Sequence, residues 1–187
     1  HETMDLCVGC KGCKRDCPTG VDMARMKIEF LSHYKKRHGH TLKDRLIARL
    51  PDYAHAASRV PWLLNLRNTM PGARWLGEKF LGFSAKRSLP AWRSDTFWRA
   101  RDASMFASRD EAIAAARDGR KVAVLFVDTF NGNFESENAL AAAQVLRAAG
   151  YLLHTVQKDG GHHCCGRTYL ANGMVDEAKA RAGALID

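Results

Sequence analysis

Apolar positions recur at helical spacing early in the chain. From Val21 to His38, Met23, Met26, Phe30 and Tyr34 follow the three-to-four-residue period of an amphipathic helix, and Gly39 stops it. Thr41, three residues before Asp44, reads as the cap of a second short helix ending at Leu50-Pro51. From 52 to 101 the pattern breaks into short pieces punctuated by Pro61, Pro71 and Pro90, which predicts several short helices joined by tight turns. All four tryptophans (Trp62, Trp75, Trp92, Trp98) fall there, as core or interdomain contacts rather than a base-stacking platform.

The last stretch changes period. Ser108 with Glu111 marks a capping box before an Ala-rich helix to Asp118. Lys121 to Val127 is a short apolar run that fits a buried parallel strand. Glu135 to Ala149 is a helix closed by Gly150, and Tyr151 to Val156 a second strand, completing a right-handed βαβ unit. A turn at Lys158-Asp159-Gly160-Gly161 leads to His162-His163-Cys164-Cys165-Gly166 and further helix through Leu185. The fold class expected is α+β: an N-terminal helical, ferredoxin-like segment with a cysteine run (1–50), a basic helical connector (51–107) and an α/β cysteine-rich module (108–187).

The 187 residues include 46% apolar positions, enough for a core, and no apolar run reaches the roughly 18–20 residues of a membrane-spanning helix. There is no basic-then-apolar leader at the start, and the chain opens His1-Glu2-Thr3 without Met, as a segment of a longer protein would. The net charge of +9 is uneven: residues 1–101 carry 20 basic and 9 acidic side chains, residues 102–187 carry 9 and 11. With no basic tract longer than Lys35-Lys36-Arg37, this reads as a solvated or protein-docking surface, and no nucleic-acid partner is expected.

Six cysteines carry the chemistry. Four crowd into Cys7-x-x-Cys10-x-x-Cys13-x-x-x-Cys17-Pro18, and Cys164 and Cys165 are adjacent. Clustered thiols without a leader point to metal ligation in a reducing compartment rather than a disulfide framework. Three thiols at spacing three, a fourth one turn later and a trailing proline form the run that binds a 4Fe-4S cluster in bacterial ferredoxins. Gly9 and Gly12 suit a loop wrapped tightly on such a centre. A structural zinc site usually pairs two Cys-x-x-Cys knuckles across a longer gap, and no second knuckle is present. Cys17 either completes the cluster of Cys7, Cys10 and Cys13 or serves another whose ligands lie elsewhere. Cys164-Cys165-Gly166, between a strand and a helix, stands where α/β units place ligands, with His162 and His163 as candidate nitrogen donors.

On these motifs the chain resembles the cysteine-rich domains of heterodisulfide reductases and the iron–sulfur subunit of glycolate oxidase. More narrowly, Cys7–Pro18 with the following Val21–Lys27, and Leu125–Phe130, resemble the C-terminal region of FAD-linked oxidases acting on D-2-hydroxy acids such as D-lactate, glycolate or D-2-hydroxyglutarate. In that family a cysteine ends the first strand of the module; Asp128 stands in its place here, and the family's later Cys-x-x-Cys is absent. A second metal site at Cys164, Cys165, His163 and Asp128 would hold zinc or an iron–sulfur centre; a carboxylate is a harder ligand than a thiolate, so Asp128 favours zinc or no metal over iron–sulfur there.

The resemblance implies an electron-transfer segment of a flavin-dependent oxidoreductase, with no complete catalytic site in this chain. FAD would belong to a separate flavin-binding domain or subunit, and the acceptor would be a quinone or a redox protein. The setting implied is cytoplasmic, with peripheral association at the inner face of the membrane as a further expectation. Two other functions stay open: thiol–disulfide redox at Cys164 and Cys165, as in heterodisulfide reductases, and a zinc-stapled nucleic-acid-binding module.

Overall fold

The computed structural model describes residues 2–158 and 161–186; the turn expected at Asp159-Gly160 and the side chain of His162 lie outside what it describes. The described chain is α+β, mostly helical with a small parallel sheet, and its contacts divide it into two compact units, residues 1–50 with 166–187 and residues 51–165.

The first unit contains α1 (Glu2–Asp5), α2 (Gly12–Asp16), α3 (Met23–His38), α4 (Leu42–Ala48), and, from the end of the chain, α12 (Arg167–Ala171) and α13 (Val175–Ile186). Asp22 caps α3 by accepting from the Arg25 amide at 3.0 Å. Thr41 caps α4 as expected, and with Asp44 it forms a full capping box; the Asp44 carboxylate also pairs with Lys35. The buried stripe of α3 differs from the aromatic one expected: Ala24, Leu31 and Ser32 are buried while Met26 is half exposed. The backbone of Gly173 comes close to this stripe at Leu31 and Ser32. Phe30, Tyr34 and His38 instead stack along the helix, with centroid spacings of 5.7 and 4.3 Å.

Ala48, Tyr169, Met174 and Ala178 form this unit's core, and the Thr168 hydroxyl donates to the Ala48 carbonyl at 2.8 Å. Two glycines permit the packing. Gly173 (φ +77°) would place a Cβ 2.8 Å from the Leu31 carbonyl carbon, and Gly166 (φ +79°) would place one 2.6 Å from the Ala178 oxygen. Only a residue without a Cβ fits at either place.

α5 (Leu50–Ala57) begins at the junction. The second unit then comprises α6 (Pro61–Thr69), α7 (Ala73–Leu81), α8 (Phe97–Ala100), one 3-10 turn (Ala103–Met105), α9 (Arg109–Arg117), β1 (Val122–Leu125), α10 (Thr129–Asn133), α11 (Ser136–Ala148), β2 (Leu152–Thr155) and the short β3 (Gln157–Lys158) and β4 (Gly161–His162). Strands β1 and β2 pair in parallel from Val122↔Leu152 to Leu125↔Thr155, with α10 and α11 between them in sequence. Phe106 bridges Leu153 in parallel as well. Phe97, Val127 and Ala139 form the core, and Phe97 packs edge-on against Trp98 and Phe106.

The irregular stretch carrying Pro90 is held by side chains of α6. Asn65 exchanges two hydrogen bonds of 2.9 Å with the backbone of Trp92, and Asn68 exchanges bonds of 2.9 and 3.1 Å with that of Leu89. Two side-chain amides thus substitute for a neighbouring strand.

Candidate metal centre

The cysteine run is a loop, a single helical turn and a second loop. Cys7 donates its amide to the Met4 carbonyl at 3.2 Å; Gly9 (φ +69°) and Lys11 (φ +60°) then turn the chain through left-handed backbone. Lys11 is the one non-glycine residue with positive φ among the described residues. Such a conformation is costly away from glycine, so the cysteine loop holds a constrained turn at Lys11. Helix α2 carries Cys13, and Cys17 closes it, donating its amide to Cys13 at 2.9 Å. Gly20 in turn donates to the Cys17 carbonyl at 3.0 Å.

Basic side chains tie this loop to α3. Lys11 and Lys14 reach the same Asp22 oxygen at 3.6 and 3.8 Å, and Lys27 donates to the Cys7 carbonyl at 2.8 Å. The Asp22 carboxyl is held below the usual range first by the Arg25 amide and then by Lys11 and Lys14. The Cys17 sulfur lies 3.1 Å from the Thr19 hydroxyl. That hydroxyl, with the backbone amides of Val21, Thr19 and Gly20, pulls its thiol pKa down. Donors so placed favour a thiolate, the form in which cysteine binds metal.

All four thiols are free; Cys10 and Cys13 are exposed, Cys7 and Cys17 half-buried. Their chemistry fits an iron–sulfur cluster: four soft donors on one short loop, left-handed turns between them, and amides beside one sulfur. Among the described residues no three His, Cys, Asp or Glu side chains converge on one point, either here or at the second place expected. In the second unit Cys164 is buried, Cys165 exposed and His163 half-buried. Asp128 is engaged as the N-cap of α10, accepting from the amides of Phe130 (2.7 Å) and Asn131 (3.2 Å).

Lys27 and Asp22 bond to the loop and Arg167 stands against Gly9; Lys27 and Asp22 fall in the Val21–Lys27 segment of the resemblance, but none of the three was read from sequence as a site residue. Lys27 had a signal: it lies three residues after Ala24 and four before Leu31, on the buried stripe of α3.

The fold and the loop describe an α+β segment bearing a run of four cysteines. No protein-family profile matches the chain, and no solved structure matches it. It is similar to three curated proteins, each called D-2-hydroxyglutarate dehydrogenase. With that of Escherichia coli (strain K12) it is 27% identical over 152 residues, 80% of this chain and 15% of that protein. With that of Pantoea ananatis it is 25% identical over 154 residues, again 80% and 15%. With that of Haemophilus influenzae it is 28% identical over 81 residues, 43% of this chain and 8% of that protein. The chain thus spans about 15% of the length of the first two relatives.

Proposed function

We infer that this chain is an electron-transfer segment of a flavin-dependent oxidoreductase acting on a D-2-hydroxy acid, D-2-hydroxyglutarate first among the candidates. The observation that carries this reading is the run of four free thiols on a left-handed loop, in a chain similar to proteins named D-2-hydroxyglutarate dehydrogenase. Cys7, Cys10, Cys13 and Cys17 would hold the group, and a 4Fe-4S cluster bound there supplies one-electron storage. The chain's own part is to fix the loop through Lys27 and Asp22, and to stabilise the Cys17 thiolate through Thr19 and its neighbouring amides. Substrate binding and flavin belong to a separate domain or subunit, and a quinone or redox protein would take the electrons. No helix among the described residues is long and apolar enough to cross a membrane.

The test is anaerobic purification of the parent protein that contains this segment, with iron, zinc and sulfide analysis and low-temperature EPR. About four iron and four sulfide per chain, with a reduced-cluster signal after adding D-2-hydroxyglutarate, is the expected result. Zinc without sulfide, or no metal, refutes the reading.

A further inference from the structure

A lysine on a buried stripe normally extends its ammonium toward water. Lys27 is half-buried, and its ammonium ends on the carbonyl of Cys7, twenty residues earlier, at 2.8 Å. A second cation stands at the same loop: Arg167, at the start of α12, puts Nη2 3.4 Å from the place a Cβ would occupy on Gly9. Lys27 and Arg167 line, with Cys7, Gly9, Ala24 and Ile28, a cavity of about 70 Å³.

We propose that Lys27 is a positioning residue for the four-cysteine site, and that Lys27 and Arg167 together raise the reduction potential of the group held there. The proposal rests on the reading that these cysteines hold an iron–sulfur cluster. Two effects follow from the geometry. A donor fixed on the Cys7 carbonyl sets the orientation of the peptide leaving Cys7, and with it the direction of the sulfur; partners that orient a ligand commonly contribute about 10–100-fold to metal retention. Reduction adds one negative charge to the site, and two nearby positive charges stabilise the reduced form more than the oxidised one.

The experiment compares the parent protein with its Lys27→Met, Lys27→Arg and Arg167→Met variants, all prepared without air. Three quantities are read: iron and sulfide content, the rate of iron loss to a chelator, and the potential from an EPR-monitored titration. Lys27→Met is expected to lose iron about 10-fold faster, with its remaining cluster shifted to a more negative potential. Lys27→Arg should recover most of the retention, because the guanidinium can still donate to the carbonyl. Arg167→Met should keep its iron and shift only the potential. A Lys27→Met protein with wild-type iron loss and potential overturns the proposal and leaves the cluster reading standing. Wild-type protein without iron or sulfide removes both. Should Lys27→Met fail to fold, Arg167→Met decides, and an unchanged potential overturns the proposal.

Discussion

Replacing Gly166 with alanine tests why the Cys-Cys-Gly sequence ends in glycine. Its φ of +79° lies in the left-handed region, where a side chain costs about 1–2 kcal/mol. The added Cβ would sit 2.6 Å from the Ala178 oxygen and 3.1 Å from its Cα, both backbone atoms of α13 that have no rotamer to change. Forced overlap of that kind costs a further ~1–3 kcal/mol. The unit concerned has only roughly 70 residues, and cores of that size rarely supply more than about 3–5 kcal/mol. Gly166→Ala is therefore expected to unfold most of it.

The assay is urea unfolding of the 187-residue chain by far-ultraviolet circular dichroism and by tryptophan fluorescence. All four tryptophans belong to the 51–165 unit, so lost helix signal with little change in fluorescence places the damage in the other unit. Gly183→Ala is the control on the same helix: nothing lies within 4 Å of its Cβ position, so it should stabilise by about 1 kcal/mol. A Gly166→Ala unfolding curve superimposable on wild type would refute the steric argument.

Phe97→Ala, at a fully buried ring, should cost about 3–5 kcal/mol and alter the emission of Trp98, whose ring centroid is 5.1 Å away; unchanged fluorescence unfolding counts against that core. Burial pushes the Asp44 carboxyl up, but Lys35 and the Thr41 hydroxyl and amide outweigh it and hold it below its usual value. Its stabilising contribution is then complete above the unfolded value near pH 4 and lost as pH falls through the lower folded value. Asp44→Ala should accordingly cost about 1–3 kcal/mol at neutral pH, a gap to wild type that narrows in acid, and a gap constant with pH would contradict this. In metal-free protein Cys17 should alkylate faster at neutral pH than an ordinary cysteine, and Thr19→Val should slow it, read by mass spectrometry; no effect of the variant removes the hydroxyl from the account.

Which features could be read from sequence depended on how local their causes are. The cap at Thr41, beside Asp44, and the capping box at Ser108/Glu111 form as expected, because each needs only two side chains three residues apart. The strand expected over Lys121–Val127 is Val122–Leu125, and the helix expected over Glu135–Ala149 is Ser136–Ala148. Between them, α10 went unread: Thr129–Asn133 has poor helix formers, and it is Asp128, drawn into its N-cap, that starts the turn. On α3 the aromatic spacing was the more conspicuous pattern, yet the buried face follows Ala24 and Leu31. That choice is set by tertiary packing, including backbone at Gly173 that no local window contains.

The Cys-Cys-Gly sequence shows the same division within three residues. Cys164 and Cys165 end the 51–165 unit, whereas Gly166 opens the segment that groups with residues 1–50. The glycine is required by the backbone of α13, twelve residues downstream, through a clash that any side chain would make. Arg167, the next residue, stands against Gly9 of the cysteine loop. Two features read separately from sequence, the four-cysteine run and the residues after Cys165, therefore belong to one packed unit. If the cysteine run holds the cluster proposed above, displacing α13 by a Cβ at Gly166 should weaken iron retention there without touching a proposed ligand. Iron content of the parent protein carrying Gly166→Ala, measured on its folded fraction, checks this; iron equal to wild type would show that the cysteine loop does not depend on the packing of Gly166 against α13.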